Sequence, residues 1–394
     1  MKKQTQAIHL EYERRDAYDS LSVPVYNTLA YEFDNAAVMA EAFTDKIKAP
    51  DYSRVENPTV TNLERRVAAL TDAAHATAFN SGMAAISNTL MALAAQGKNI
   101  VTSKHLFGNT YALLVATLRR FGVKVRLRDL TNIEAVREAI DDDTCCVFLE
   151  ILTNPQLEVA DLKAISEVAH EKNVPLVVDS TVIPFTQFSA KSLGVDIEVV
   201  SSSKYVSGGA TSLGGLVIDY GTPYNGDFAK RLYGEMLFNF GAYMTPQVAY
   251  MQTIGLETLD ARYRVQSSNA LELAKKLRTL PQIKYVNYVG LEDNPYYELA
   301  QRQFGKTAGA MICIDLESKE ACFSFLNNLK LIHRATNLFD NRSLAIHQAS
   351  TIFGAFSESM RKSMDVKDTT IRLSIGLEDV DDLFEDIKQA VNSL

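Results

Sequence analysis

The chain has 394 residues, room for two domains, and its 47% hydrophobic and 22% charged side chains are those of an ordinary globular protein. A net charge of −8 with no long basic run argues against a nucleic-acid footprint. The N-terminus leads into the charged stretch Glu11-Tyr-Glu-Arg-Arg-Asp16 with no apolar core following, and no uninterrupted apolar run reaches bilayer length, so neither a signal peptide nor a membrane span is expected.

Residues 1–50 show little periodicity and read as an arm. From about 60 to 220, helices alternate with short apolar strands. Helices are predicted over 63–70, 86–95, 111–121 and 133–140, with a further one capped by Asp161 and running to 172. Strands are predicted over 99–103, 124–128, 145–149, 175–178, 196–200 and 214–218. Apolar strands buried on both faces and separated by amphipathic helices imply a largely parallel sheet between helical layers. A long helical stretch follows over about 246–280, with Gly255 a candidate break. Beyond it come a strand over 310–315 and a final helix near 380–391, the pattern of a smaller α/β domain. The four cysteines form no Cys-x-x-Cys pair, so no zinc or redox site is expected, and reduced thiols in a cytoplasmic protein are.

Chemistry concentrates in Ser201-Ser-Ser-Lys-Tyr-Val-Ser-Gly-Gly209, at the end of an apolar strand. A lysine among hydroxyls and glycines is a poor core residue. Upstream, the strand 175–178 ends on Asp179. The pair suggests a lysine that binds an aldehyde covalently and a carboxylate that holds a pyridinium nitrogen, the protein's share of pyridoxal phosphate (PLP) chemistry. Asp179 as a cap for Ser180 and Thr181 is the structural alternative. Ser81, Gly82 and Met83 precede a helix, where free backbone N–H groups and the helix dipole favour an anion, or where Ser81 is an ordinary cap. Ser201 and Ser203 offer hydroxyls to a phosphate, or belong to a solvated turn. Arg372 lies inside the apolar run Thr370-Ile-Arg-Leu-Ser374 and suits a carboxylate clamp or a structural ion pair.

The order of these clusters resembles the Cys/Met-metabolism, cystathionine γ-synthase-like branch of fold-type I PLP enzymes. The resemblance runs from about residue 20 to the C-terminus. It is carried by Tyr52-Ser-Arg-Val-Glu-Asn-Pro-Thr59, Ser81-Gly-Met-Ala-Ala-Ile86, Glu150 with Asn154-Pro155, Val178-Asp-Ser-Thr181, the Lys204 run, Gly255-Leu-Glu-Thr-Leu259 and Arg372-Leu-Ser-Ile-Gly-Leu-Glu378. It implies an arm over 1–55, a large PLP-binding domain over 56–255 with a mostly parallel central sheet between helices, and a smaller C-terminal α/β domain over 256–394. It also implies that Lys204 holds the cofactor and moves protons, Asp179 pairs with the ring nitrogen, and Asn154 reaches the ring hydroxyl. Ser81, Gly82, Met83, Ser201 and Ser203 surround the phosphate. Tyr52 and Arg54 reach the phosphate of a neighbouring subunit in a homo-oligomer, a dimer of dimers by family expectation. Arg372, helped by Asn337 and Ser343, binds the substrate carboxylate.

Departures from the family pattern bear on the reaction. Phe107 stands where a tyrosine is common, Asn109 where γ-lyases tend to carry cysteine, and Asn337 where lyases often have serine. Phe107 can still stack on the cofactor but has no phenol proton to give a leaving group. This leans toward O-acetylhomoserine or O-succinylhomoserine sulfhydrylases, which make homocysteine or a thioether from an O-acyl-L-homoserine, and away from lyases acting on methionine or cystathionine. Phe339 at a usual glycine position, and Gln348 in His347-Gln-Ala-Ser350 where proline is usual, are expected near the substrate pocket. A scaffold that retains the fold without the chemistry is the remaining alternative, opposed by intact Lys204, Asp179 and Arg372.

Overall fold

Apolar runs bounded by turn residues become strands here, and among the described residues seven strands form one sheet. The computed structural model describes residues 1–10, 16–44 and 46–394, so most of the charged stretch at 11–16 lies outside the described residues. From edge to edge the sheet runs His75–Phe79, Gly215–Asp219, Ile197–Val200, Leu176–Asp179, Thr144–Glu150, Asn99–Ser103 and Lys124–Arg128. The last five are parallel. Gly215–Asp219 runs antiparallel to both its neighbours. The predicted strands all appear within a residue or two. His75–Phe79 was not expected, because His-Ala-Thr-Ala-Phe carries one bulky apolar side chain; it forms by pairing along its whole length with Gly215–Asp219.

The predicted helices appear as Pro58–Thr71, Gly82–Leu93, Ile133–Ala139 and Leu162–His170, the last capped by the Asp161 carboxylate accepting from Ala164 N. Two readings need correction. Residues 111–121 are not one regular helix: α-helical Gly108–Ala112 widens into a π-helical Leu113–Thr117 and tightens into a 3-10 turn, Leu118–Phe121, that stops at left-handed Gly122. The long stretch divides at Thr258, not at Gly255, into Pro246–Glu257 and Leu259–Leu277. Gly255 stays helical because its bare face lies against the turn after Lys204. A Cβ there would sit 2.1 Å from Val206 O, so the glycine permits close packing.

A second, smaller sheet orders His333–Arg334, Leu344–His347, Thr370–Ser374, Met311–Asp315 and Tyr285–Asn287. Arg372 is on its central strand, opposite Ile346 and Cys313. The arm contains short helices, Lys3–His9 and Ala36–Ala42. It is tied to the body by Lys3 Nζ donating to Phe188 O at 2.8 Å and Tyr26 N donating to Thr59 Oγ1 at 3.0 Å. All four cysteines are free, and all but the half-buried Cys145 are buried. Among the described residues no helix is long and apolar enough to cross a membrane.

Candidate active site

The C-terminal ends of the parallel strands, where an α/β sheet characteristically binds its ligands, open on a cavity of about 340 Å³ that the second sheet closes with Arg372. Lys204 enters it from a turn braced across the chain. The Ser203 hydroxyl donates to Gly214 O at 3.1 Å and accepts from Gly214 N at 2.9 Å, and Lys204 N donates to Ser201 O at 3.1 Å. Lys204 Nζ donates to Asn337 Oδ1 at 2.6 Å. Burial, with the Arg372 charge nearby, pushes the amine down to about 8.

Asp179 and Glu150 end adjacent parallel strands and stand in register with each other. Burial raises both carboxyl groups, and Glu150, which also feels Asp179, rises to about 8. Asp179 Oδ1 also accepts from Thr181 N at 2.9 Å, so the capping contact is real and coexists with its place in the cavity. Glu150 is the residue that sequence reasoning left without a role. Its carboxylate accepts from Phe107 N at 2.5 Å and Asn154 N at 3.3 Å, tying two cavity loops together. The available signal was an acid closing an apolar strand, as at Asp179.

Arg372 is buried, yet no acidic partner reaches it among the described residues. Nη1 donates to Asn154 Oδ1 and Nη2 to Asn337 O, both at 3.2 Å, and Nε has no partner. Burial lowers this guanidinium to about 10. A buried cation held only by neutral oxygens is incomplete without an anion, which removes the ion-pair alternative. On the opposite wall, Ser81 Oγ caps Ala84 N at 3.1 Å, leaving the first amides of the helix Gly82–Leu93 without intrahelical partners. A Cβ on Gly82 would sit 2.6 Å from the Ser201 Cβ, so glycine alone lets helix and turn meet.

The structure therefore gathers Ser81, Gly82, Met83, Phe107, Asn154, Asp179, Ser201, Ser203, Lys204, Asn337 and Arg372 around one cavity. It does not bring Ser343 there. That hydroxyl donates to Glu378 Oε2 and accepts from Gly376 N, both at 2.9 Å, and is fully buried. Tyr52 and Arg54 also lie off their own chain's cavity; Arg54 Nη1 donates to Phe238 O at 2.5 Å. Phe339 and Gln348 do not themselves line the cavity, although Leu338, next to Phe339, does. Phe339 has φ +57°, the left-handed region that favours glycine, and its ring stacks on Tyr205 with centroids 4.0 Å apart. Nothing in the structure explains the buried Gln348 amide. Val182, Leu213 and Ile352 are apolar lining residues that the sequence did not single out.

A helix N-terminus beside hydroxyls, two buried carboxyls and a lysine with a lowered proton affinity define a site for a phosphorylated, cationic, carbonyl-bearing ligand. The model of the Cys/Met metabolism PLP-dependent enzymes matches residues 4–392, and the chain belongs to that family. It is 37% identical over 394 residues to an L-methionine gamma-lyase of Fusobacterium nucleatum, covering 99% of this chain and 98% of the relative. It is 31% identical over 417 residues to an O-acetyl-L-homoserine sulfhydrylase of Corynebacterium glutamicum, covering 98% and 95%. A crystal structure of a candidate O-acetylhomoserine (thiol)-lyase from Campylobacter jejuni superposes with a TM-score of 0.95 at 34% identity over 100% of both chains, and carries N'-pyridoxyl-lysine-5'-monophosphate at position 205 of that chain. The cofactor is PLP. The residues present fit it, because a protonated ring nitrogen would relieve the Glu150–Asp179 pair, and the free amides at the start of the helix Gly82–Leu93, with the Ser201 and Ser203 hydroxyls lining the same cavity, offer donors to a phosphate.

Proposed function

We propose that this enzyme carries out γ-replacement on an O-acyl-L-homoserine, with sulfide or a thiol as the incoming group and homocysteine or a thioether as product. Bound PLP supplies the electron sink. Lys204 is the covalent anchor, counterpart of the modified lysine in the Campylobacter jejuni structure, and moves protons at the substrate's α-carbon. Arg372 grips the α-carboxylate through its fork, with Asn337 and Asn154 holding that fork in place. Asp179 holds the ring nitrogen, Asn154 the ring hydroxyl, and Phe107 covers the ring. Ser81, Gly82, Met83, Ser201 and Ser203 take the phosphate, with Tyr52 and Arg54 of a neighbouring subunit. The observation that carries the reading is Phe107 itself: the ring placed over the cofactor has no phenol, this chain supplies none to the cavity among the described residues, and the neighbour's Tyr52 is assigned to the phosphate; an ester leaves without the proton that a thiolate needs.

Elimination is the second reading, favoured by the similarity to a methionine gamma-lyase. The two separate in one assay. PLP-loaded protein given O-acetyl-L-homoserine should form homocysteine only when sulfide is present, with 2-oxobutyrate a minor product. Dominant 2-oxobutyrate, indifferent to sulfide, would reject γ-replacement. The reading also requires a homo-oligomer, and a dimer of dimers is expected. Leu21, Leu29, Phe43 and Phe240 are more than half exposed on the single chain, apolar side chains that burial between copies would cover. Light scattering should give a mass of about four chains at micromolar concentration; a monomeric active enzyme would remove Tyr52 and Arg54 from the site.

A further inference from the structure

Three segments reach the cavity from different parts of the fold: the loop bearing Phe107, the loop bearing Asn154, and the C-terminal portion bearing Ile352 and Arg372. Inside, the Glu150 carboxylate joins the first two. Outside, the same loops meet again at His105, which is buried. Its Nδ1 lies 2.5 Å from Glu158 Oε2, and its Nε2 lies 2.8 Å from Asp365 Oδ2. His105 is two residues from Phe107. Glu158 is four residues from Asn154, and its own N donates to Thr153 Oγ1. Asp365 follows Met364, whose side chain belongs to a cluster with Ala349, Phe353 and Val366 against which Ile352 packs. Gln156 adds a parallel tie, its Nε2 donating to Met364 O at 2.6 Å.

We propose that His105 is a positioning residue, a cationic pin whose two ring nitrogens hold the Phe107 loop, the Asn154 loop and the C-terminal portion in the one arrangement that shapes the cavity. An imidazole facing two carboxylates can donate to both only when both nitrogens carry protons. The facing groups agree. Glu158 and Asp365 are acidic, and the nearest cation, Lys104, is itself taken up by Asp365 at 2.6 Å. Tyr296 is the other titratable side chain beside Glu158. Although burial opposes the charge, the two carboxylates outweigh it and raise His105 above 6.5, and His105 with Lys104 lowers Asp365. A folded-state affinity raised in this way contributes stability below the ordinary imidazole range. That contribution is lost as pH climbs through the raised value, so the pin loosens on the alkaline side.

The test uses PLP-loaded wild type, His105→Gln, His105→Arg and Asp365→Asn, with kcat/KM for O-acetyl-L-homoserine and sulfide measured against pH. Glutamine presents one donor and one acceptor, and should cost about tenfold or more in kcat/KM at unchanged cofactor content, because misplacing reacting groups by even an ångström is expensive. Arginine keeps a cation facing both acids at all accessible pH values, so His105→Arg should retain most activity and carry it further into alkali than wild type. Should His105→Gln fail to fold, Asp365→Asn on the half-exposed side takes its place with the same expected loss. A loss under about fivefold, or an alkaline limb in His105→Arg identical to that of wild type, overturns the proposal. It rests on the cavity being the reaction site. If wild type turns over no O-acyl-homoserine, the imidazole proton–carbon NMR titration still decides. His105 should titrate above 6.5 and move down in Asp365→Asn, and an unmoved titration overturns the pin.

Discussion

Lys204→Ala should abolish turnover, by about 10⁴-fold or more, because one change removes both the proposed covalent anchor and the group proposed to move the α-proton. The proposed phosphate and ring contacts would survive it, so the variant should still bind PLP, without the absorbance of a lysine-linked cofactor. The same substitution has a signature in the cofactor-free protein. Burial and Arg372 depress the Lys204 amine to about 8, against 10.5 in an unfolded chain. Between those values the unfolded chain holds the proton and the folded one does not, so wild-type stability rises with pH across that window. Below it both forms are protonated, and the folded state carries the full cost of a poorly solvated ammonium. Lys204→Ala should therefore be the more stable protein at neutral pH, with its advantage fading toward pH 10.5. Denaturant titrations at several pH values check this. Retained turnover in the alanine variant would reject the role assigned to the lysine, and an advantage independent of pH would reject the buried-ammonium account.

Arg372→Leu should raise KM for the amino-acid substrate and lower kcat/KM by about 30- to 10³-fold, since losing one partner of a buried, hydrogen-bonded charge pair costs about 2–4 kcal/mol. Arg372→Lys should recover little, because a point charge cannot reproduce two parallel N–H bonds to a carboxylate. The stability of the empty protein should move the other way. The guanidinium is buried against neutral oxygens, with Nε unsatisfied, so leucine removes a desolvated charge and the melting temperature should hold or rise. A guanidinium with a structural role would show the reverse pattern, a marked fall in melting temperature with KM unchanged. Calorimetry on the empty variant and steady-state kinetics on the loaded one separate the two.

Some of the site was legible before any coordinates because its residues violate the local pattern. Arg372 interrupts an apolar strand, Asp179 ends one, and Lys204 sits in a turn of serines and glycines. Each is costly where it stands unless a ligand completes it. Ser343 shows the limit. A hydroxyl is at home in a core or at a site, and the strand pattern does not say which; here Glu378 and the Gly376 amide claim it. Phe339 misled in another way. A bulky residue at an expected glycine position points toward the pocket by sequence, whereas the backbone at φ +57° carries the ring into the core against Tyr205. The break expected at Gly255 failed because a glycine serves close packing as readily as a bend. The strand His75–Phe79 was invisible because its neighbour, not its own side chains, makes it extended.

The two halves of the binding chemistry belong to different sheets. Lys204, Asp179 and the Gly82 cradle hang from the seven-stranded one, and Arg372 from the five-stranded one. A substrate gripped as proposed, at its carboxylate and at its amine, would be a strut across a seam. Its arrival should stiffen the molecule as a whole, and occupancy should register far from the cavity, as slower proteolysis along the arm and the outer helices.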